Sequence, residues 1–501
     1  SPFRFKTADV GPKGPAPELA EDTKAVLNQV GFGDAEIDAL MLPVADAASN
    51  FIFFSVPMFG TDVPLIVLWL IAGGVFFTFY LNFINFRGFK HGFDIIRGKF
   101  AQSDDPGQIN QFQALTTAIS GTVGIGNIAG VAAAISVGGP GATFWLIVAG
   151  LLGMSTKFAE CTLGVKFRKY ENGEVSGGPM YYLEQGLSQL DWPKLGKCLG
   201  IFYAASMVIG CLGIGNMFQS NQAASILVDV TGGEQSIFAE QVWIIGVILA
   251  VAVGVVIIGG IKSIAATTAK LVPGMALLYT LTALVVIIMN FDAIPGALAA
   301  IWNGAFSPDG VTGGMIGVMI IGFRRAVFSN EAGLGSAAIA HSTARTKEPV
   351  SEGFVALLEP FIDTVVICTI TALVIITTVY DPVLATQNVA GIELTTEAFA
   401  STLSWSPIPL SIAAILFAFS TMVAWAYYGL KAFTYLVGDS KAADLGFKLF
   451  FLSFVILGSA IELSALIALS DALVFIVAIP NLIGLYVMAP IIKAELNRYE
   501  A

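Results

Sequence analysis

Charge is what this sequence has least of. Asp, Glu, Lys and Arg make up 12% of the 501 residues, against 56% hydrophobic ones. A soluble domain carries roughly a quarter charged residues, so lipid rather than water is the solvent for most of the chain. The mean hydropathy of +0.79 agrees. What charge there is sums to −11, which speaks against a nucleic-acid partner, whose phosphates demand basic surface. Histidine is scarcer still: His91 and His341 are the two in the chain, too few for a zinc or haem constellation. The four cysteines, Cys161, Cys198, Cys211 and Cys368, stand on apolar stretches without CxxC spacing. They read as small buried hydrophobes rather than disulfide partners or metal ligands. No HExxH, GxSxG or P-loop occurs, so nothing indicates an enzyme. The first residues lack the basic-then-apolar pattern of a cleaved signal peptide.

Long apolar runs are abundant instead. A hydrocarbon core of about 30 Å needs about 20 apolar residues per helix. On that ruler spans fall near 61–85, 114–137, 140–165, 198–228, 241–259, 264–290, 314–341, 353–379, 408–436, 446–469 and 471–493, eleven in all. The runs are too long and too uniformly apolar for barrel strands, so the expected fold class is an all-α polytopic membrane protein. Loop charge checks the count. Arg87, Lys90, Arg97, Lys99, Arg168, Lys169, Lys194, Lys197, Lys262, Arg345, Lys347 and Lys441 follow odd-numbered spans, and Lys493 and Arg498 lie at the end. Loops after even-numbered spans hold acids but no Lys or Arg. The positive-inside rule then puts the N-terminal segment outside and the C-terminus in the cytoplasm.

Residues 1–40 read differently, as an extramembrane leader ahead of a transporter domain over 41–501. Pro15-Ala16-Pro17-Glu18-Leu19-Ala20-Glu21-Asp22-Thr23, then Val26-Leu27 and Glu36-Ile37, resemble the C-terminal tail of family III CoA-transferases. The segment is either a fusion remnant before a natural start at Met41 or an ordinary disordered leader.

The second span holds Gly121-Thr122-Val123-Gly124-Ile125-Gly126-Asn127-Ile128-Ala129-Gly130, four glycines in ten residues. Each costs about 1 kcal/mol relative to Ala inside a helix, and they begin about 10 Å into the membrane. A helix weakened there suits an ion or substrate site, because unwinding frees carbonyls for a cation and N–H groups for a carboxylate. Close packing through small residues is the alternative. The seventh span contains Arg324 and Arg325 about 15 Å in, where a charge costs several kcal/mol unless it is paired or faces water. An interruption is expected across Gly322–Ser336. Spans five apart cross in opposite directions, as in two inverted five-helix repeats, here 114–290 and 314–493, with the first span outside them.

Gly121–Ala134, Gly138-Gly139-Pro140-Gly141-Ala142-Thr143-Phe144-Trp145, Lys157-Phe158-Ala159-Glu160 and Ser176-Gly177-Gly178-Pro179-Met180-Tyr181-Tyr182 resemble motifs of the sodium:alanine/glycine symporter family. So do Phe328–Ala337, Phe419-Ser420-Thr421 and Trp425-Ala426-Tyr427-Tyr428-Gly429. Together they cover residue 45 to the end; Ala326 departs from the glycine usual after the Arg pair. The resemblance places the chain in the amino acid–polyamine–organocation superfamily. It implies the five-plus-five inverted-repeat fold with two discontinuous helices, a bacterial inner membrane, sodium as coupling ion, no cofactor, and import of a small neutral amino acid, alanine or glycine. Carried over by position, it implies main-chain groups from Thr122 to Asn127 at the site. These include Gly124 and Gly126 toward substrate and Thr122 and Ile125 toward sodium. Gln219, Asn221 and Gln222 would face the cavity, and Ser420 and Thr421 would give hydroxyl oxygens to sodium.

The chemistry is compatible. Sodium is a hard cation that prefers oxygen, and hydroxyls and carbonyls replace its hydration shell without adding a fixed charge. A zwitterion needs N–H groups for its carboxylate, as around Gly126 and Asn127. Its ammonium needs acceptors, for which Gln219 or a freed carbonyl between Phe323 and Ser329 are candidates. Gln219, Asn221 and Gln222 are either cavity-facing or interhelical bonds; Phe328 and Trp425 either shape the pocket or pack. Lys157 and Glu160 are spaced to pair with each other. Glu331, Glu359, Asp363 and Glu462 are gate or coupling candidates, with Arg324 or Arg325 expected to pair Glu331 or Glu359 as a cytoplasm-side gate. The rivals are a proton-coupled carrier of the same fold and a passive channel.

Overall fold

The computed structural model describes residues 52–58, 61–100, 102, 104–171, 174–307, 314–380, 391–461 and 463–501. The leader, Met41 and Glu462 lie outside the described residues. Short connecting turns aside, the chain is a series of helices. The principal ones are α1 (Leu65–Tyr80), α2 (Gln111–Thr122), α3 (Ala129–Gly138), α4 (Gly141–Lys166), α5 (Pro179–Gln189), α6 (Pro193–Val230), α7 (Trp243–Ile258) and α8 (Gly260–Met289). They continue as α9 (Ile294–Phe306), α10 (Gly314–Asn330), α11 (Ser336–His341), α12 (Pro349–Thr378), α13 (Ile392–Thr402), α14 (Pro407–Val437), α15 (Lys441–Ala460), α16 (Leu463–Val487) and α17 (Ala489–Glu500).

Among the described residues seven helices are long and apolar enough to cross a membrane, or eight if the bent pair α2–α3 is one span. The apolar surface explains this choice: backbone polar groups in lipid must bond within their own segment, and only helices allow that segment by segment. Side chains such as Val255, Ile258, Leu277 and Ile288 lie exposed on α7 and α8, as expected of faces turned to hydrocarbon. Two antiparallel hairpins, Ser55–Met58 with Thr61–Pro64 and Lys169–Glu171 with Glu174–Ser176, and short helices such as Phe89–Ile96 lie among them.

Most expected spans match helices to within a few residues, with three differences. Residues 61–64 form a hairpin strand, and α1 begins only after Pro64, whose ring sets φ at −64°. The last two spans sit earlier than expected, because α15 ends at Ala460 with Ile461 extended and α16 already starts at Leu463. The third difference lies in α10 and belongs to the site.

Position in the bundle decides which helices form that site. α4 packs against α10, α11 and α12, while α14 packs against α2, α6 and α8. Two of these helices carry π-helical stretches, Gly213–Met217 in α6 and Phe361–Cys368 in α12, a widened turn that often accompanies function. The interrupted helices α2–α3 and α10–α11 lie between them.

Candidate functional site

Between α2 and α3, Val123 turns out of the helix with ψ 89° and Gly124 is extended at φ −133°, ψ −162°. Ile125–Asn127 make one 3-10 turn before α3, and the two halves meet at 61°. Side chains replace the lost main-chain bonds. Asn127 Oδ1 accepts the Gly124 N–H at 2.9 Å, and Gln219 Oε1 accepts the Ile125 N–H at 3.1 Å. Gln219 is itself held by donating from Nε2 to the Ile214 carbonyl at 3.0 Å, in the π stretch of α6. Glycine is needed at 124 for proximity: a methyl there would lie 2.6 Å from Thr421 Oγ1 and 3.1 Å from Gln219 Oε1.

Thr421, on α14, is 1% exposed, and its hydroxyl has no hydrogen-bond partner among the described residues. Leaving a buried hydroxyl unpaired costs about 1–3 kcal/mol. Ser420 bonds back to the Phe417 carbonyl at 3.0 Å, and its own carbonyl accepts from Ser120 Oγ at 3.2 Å, which ties α14 to α2. Thr122 bonds back to the carbonyls of Ile119 and Ala118 at 3.3 and 3.5 Å, and the Ile125 carbonyl accepts the Ile128 N–H at 3.0 Å.

The second interruption occupies only the end of the expected stretch Gly322–Ser336. α10 stays helical through Arg324 and Arg325 as far as Asn330, and the break is Glu331–Gly335. Glu331, Gly333 and Gly335 take left-handed conformations there, with φ of 58°, 94° and 76°. That region is costly for a glutamate, and its carboxylate is held by hydrogen bonds from Ser336 Oγ and from Trp425 Nε1, the latter at 3.0 Å. Glu160 of α4 pins the same segment: its Oε1 accepts the N–H groups of Gly333 at 2.9 Å and Gly335 at 3.0 Å, and Asn481 Nδ2 at 2.8 Å.

The helix stays intact through the arginines, and Asp471 of α16 pairs with both of them. Its Oδ2 lies 2.6 Å from Arg324 Nη2 and 3.1 Å from Arg325 Nη2. The expected pairing of an arginine with Glu331 or Glu359 is therefore corrected. So is the expected Lys157–Glu160 pair: the Lys157 ammonium lies 3.3 Å from Glu359, whose other oxygen meets His341, while Glu160 is engaged by the break. Asp471 was missed in the sequence. An acid opening the last apolar run was the available signal, since ionisable groups at membrane depth demand a partner.

The two interruptions meet. Trp425 Nε1 donates to Gly121 O at 3.3 Å as well as to Glu331. A methyl on Gly126 would touch the Phe328 ring at 3.4 Å, and Phe218 meets that ring edge-on with centroids 5.4 Å apart. Asp363, fully buried on the π stretch of α12, accepts from Asn127 Nδ2 at 2.5 Å on one oxygen and from Ser329 Oγ at 2.8 Å on the other. Gly124, Gly126, Asn127, Gln219, Phe328, Ser329, Ser420, Thr421 and Trp425 thus come together. Asn221 does not join them. It donates to the carbonyls of Gly458 at 3.2 Å and Ile461 at 2.6 Å, the interhelical role among its two readings. Gln222 bridges Asn221 Oδ1, at 3.2 Å, and the Ile392 N–H, at 3.4 Å.

Apolar helices broken opposite one another around buried polar groups define a membrane transporter, not an enzyme. The chain belongs to the sodium:alanine symporter family, whose family model matches residues 48–501. It is 38% identical over 441 residues to the sodium/alanine symporter AgcS of Methanococcus maripaludis, covering 87% of this chain and 94% of that one. It is 32% identical over 437 residues to the probable sodium/glutamine symporter GlnT of Bacillus subtilis, covering 87% of each. Among solved structures, MhsT in complex with L-phenylalanine superposes with a TM-score of 0.56 at 15% identity, over 78% of this chain and 98% of that one, a likeness of fold. The protein is accordingly a sodium-coupled amino acid symporter of multi-pass membrane architecture.

Proposed function

We propose that the protein imports a small neutral amino acid, alanine or glycine, together with sodium by alternating access. The observation that carries this is the junction of the two interruptions through Trp425, which donates to Gly121 O at 3.3 Å and Glu331 Oε1 at 3.0 Å. When one half-helix tilts, contacts across this junction part, so the site can open to one side at a time. In this reading the long helices, the bent pair α2–α3, the interrupted α10–α11 and the shorter α1 and α7 form eleven spans. The repeats run over 114–290 and 314–493, and the loop charges put the N-terminal segment outside and the C-terminus in the cytoplasm.

Thr421 Oγ1, unpaired and buried beside Gly124, is the favoured sodium donor, with Ser420 and the carbonyls of Thr122 and Ile125. The turn at Gly124–Asn127 offers main-chain groups to the zwitterion, with Gln219, Ser329 and Asp363 as its polar walls and Phe328 over Gly126. The Arg324–Arg325–Asp471 cluster, with Arg325 stacked 5.6 Å over Phe328, is a gate on the outer side, because α10 and α16 both start there in this topology. Radiolabelled alanine or glycine should accumulate in proteoliposomes only under an inward sodium gradient. Uptake unchanged when potassium replaces sodium would overturn the assignment. Uptake driven by a pH gradient alone would favour a proton-coupled carrier, and single-channel currents a pore.

A further inference from the structure

A chain of buried ionisable groups runs beside the second interruption, and the transport reading makes no use of it. His341, the last residue of α11, lies between two glutamates of α12. Its Nδ1 is 2.7 Å from Glu352 Oε1 and its Nε2 hydrogen-bonds Glu359 Oε1. Glu359 Oε2 then faces Lys157 Nζ of α4 at 3.3 Å. The side chains of His341, Glu352, Glu359 and Lys157 are all at 0% exposure.

Proton counting constrains this arrangement. A neutral imidazole has one N–H, so it can donate to one carboxylate while its other nitrogen only accepts. Both ring nitrogens contact carboxylate oxygens here. The triad therefore holds one proton more than a neutral histidine between two carboxylates. That proton sits either on the ring as imidazolium or on a glutamate that donates to it. The surroundings do not supply the charge otherwise. Lys157 is the cation against Glu359, while Glu160 and Glu331 add further acids, and Cys161 Sγ lies within 4.8 Å of the His341 and Glu359 ligand atoms. Arg168, the other nearby cation, is bound to the carbonyls of Ser342, Ala344, Pro106 and Thr346 at 2.6–3.0 Å. Lys157 beside Glu359 also argues against a metal ion in the Cys161–His341–Glu359 cluster.

We propose that Glu352–His341–Glu359 is a proton-binding site whose occupancy alternates as α11 moves against α12. Separating His341 from either glutamate removes the need for the extra proton, which leaves to cytoplasmic water and returns from it when the contact re-forms, so that no net proton crosses the membrane. The exit is short. Ser351, next to Glu352, accepts from Gln111 Nε2 at 3.3 Å. Both line an open surface cavity of about 160 Å³ shared with Thr346 and Lys347, on the basic, cytoplasmic side in the topology above.

The proposal rests on the symporter reading, and one experiment separates the two. Purified protein is reconstituted with a pH-sensitive dye inside the vesicles, and sodium-driven alanine and glycine uptake is read as the internal pH is set between about 5 and 8. Expected is uptake that slows several-fold as the interior is acidified, because a retained proton holds α11 against α12. In Glu352→Gln the amide serves as donor or acceptor to a neutral imidazole, so the extra proton is no longer required. That variant should keep sodium-driven uptake but lose the dependence on internal pH. Sodium-driven uptake in the wild type that is insensitive to internal pH overturns the proton site and leaves the symporter standing. Absence of sodium dependence overturns the symporter instead. The wild-type measurement decides even if the variant fails to fold.

Discussion

Two glycines six residues apart should respond oppositely to one added methyl. At Gly124, φ of −133° is open to any residue, so an alanine there meets no backbone strain. Its methyl would, however, stand 2.6 Å from Thr421 Oγ1, where ordinary contact starts at 3.4 Å. The hydroxyl must retreat by about 0.8 Å, yet threonine χ1 is stiff in a helix and Gln219, on the other side, is held at both ends. Overfilling a packed site costs about 1–3 kcal/mol, and every 1.4 kcal/mol is tenfold. If Thr421 binds sodium, Gly124→Ala should raise the half-saturating sodium concentration roughly 5- to 150-fold in a proteoliposome uptake assay. At Gly130, inside α3, an added methyl meets nothing within 4 Å. Gly130→Ala should gain about 1 kcal/mol in helix propensity and leave sodium dependence alone. Gly124→Ala within twofold of the wild type, or two variants alike, would refute the placement of sodium at Thr421.

Three further substitutions test other parts. Trp425→Phe keeps the ring but strips the donor shared by Gly121 O and Glu331 Oε1. A buried acceptor left unmatched costs about 1–3 kcal/mol, so maximal uptake should fall about tenfold with little change in sodium affinity; normal uptake would show the junction to be incidental. Asp471→Asn leaves two guanidiniums without their counter-charge. Uptake should drop at least several-fold, with partial recovery in Asp471→Glu, and an inert Asp471→Asn would dispose of the gate. Asn221→Ala deletes the bonds to Gly458 O and Ile461 O. The detergent-solubilised protein should melt at a lower temperature by the equivalent of about 1–3 kcal/mol, while transport affinities stay put. A selective loss of substrate affinity would instead return Asn221 to the cavity.

The membrane class, the position of most spans and the first interruption were determined by the sequence itself. Hydrocarbon thickness sets span length, and four glycines between Gly121 and Gly130 remove the propensity that would hold a helix together. These are local effects, and local composition reports them. Partnership was decided only in three dimensions. Arg324 and Arg325 looked like the reason for a broken helix, yet Asp471, some 150 positions along the chain, pairs with both and the helix runs on to Asn330. Lys157 stood three residues from Glu160 but faces Glu359, while Glu160 caps the break at Gly333 and Gly335. A buried charge at membrane depth must find a counter-charge or a fixed donor. The chain says that such a partner is required, and the folded packing of α4, α10, α12 and α16 says which one it is.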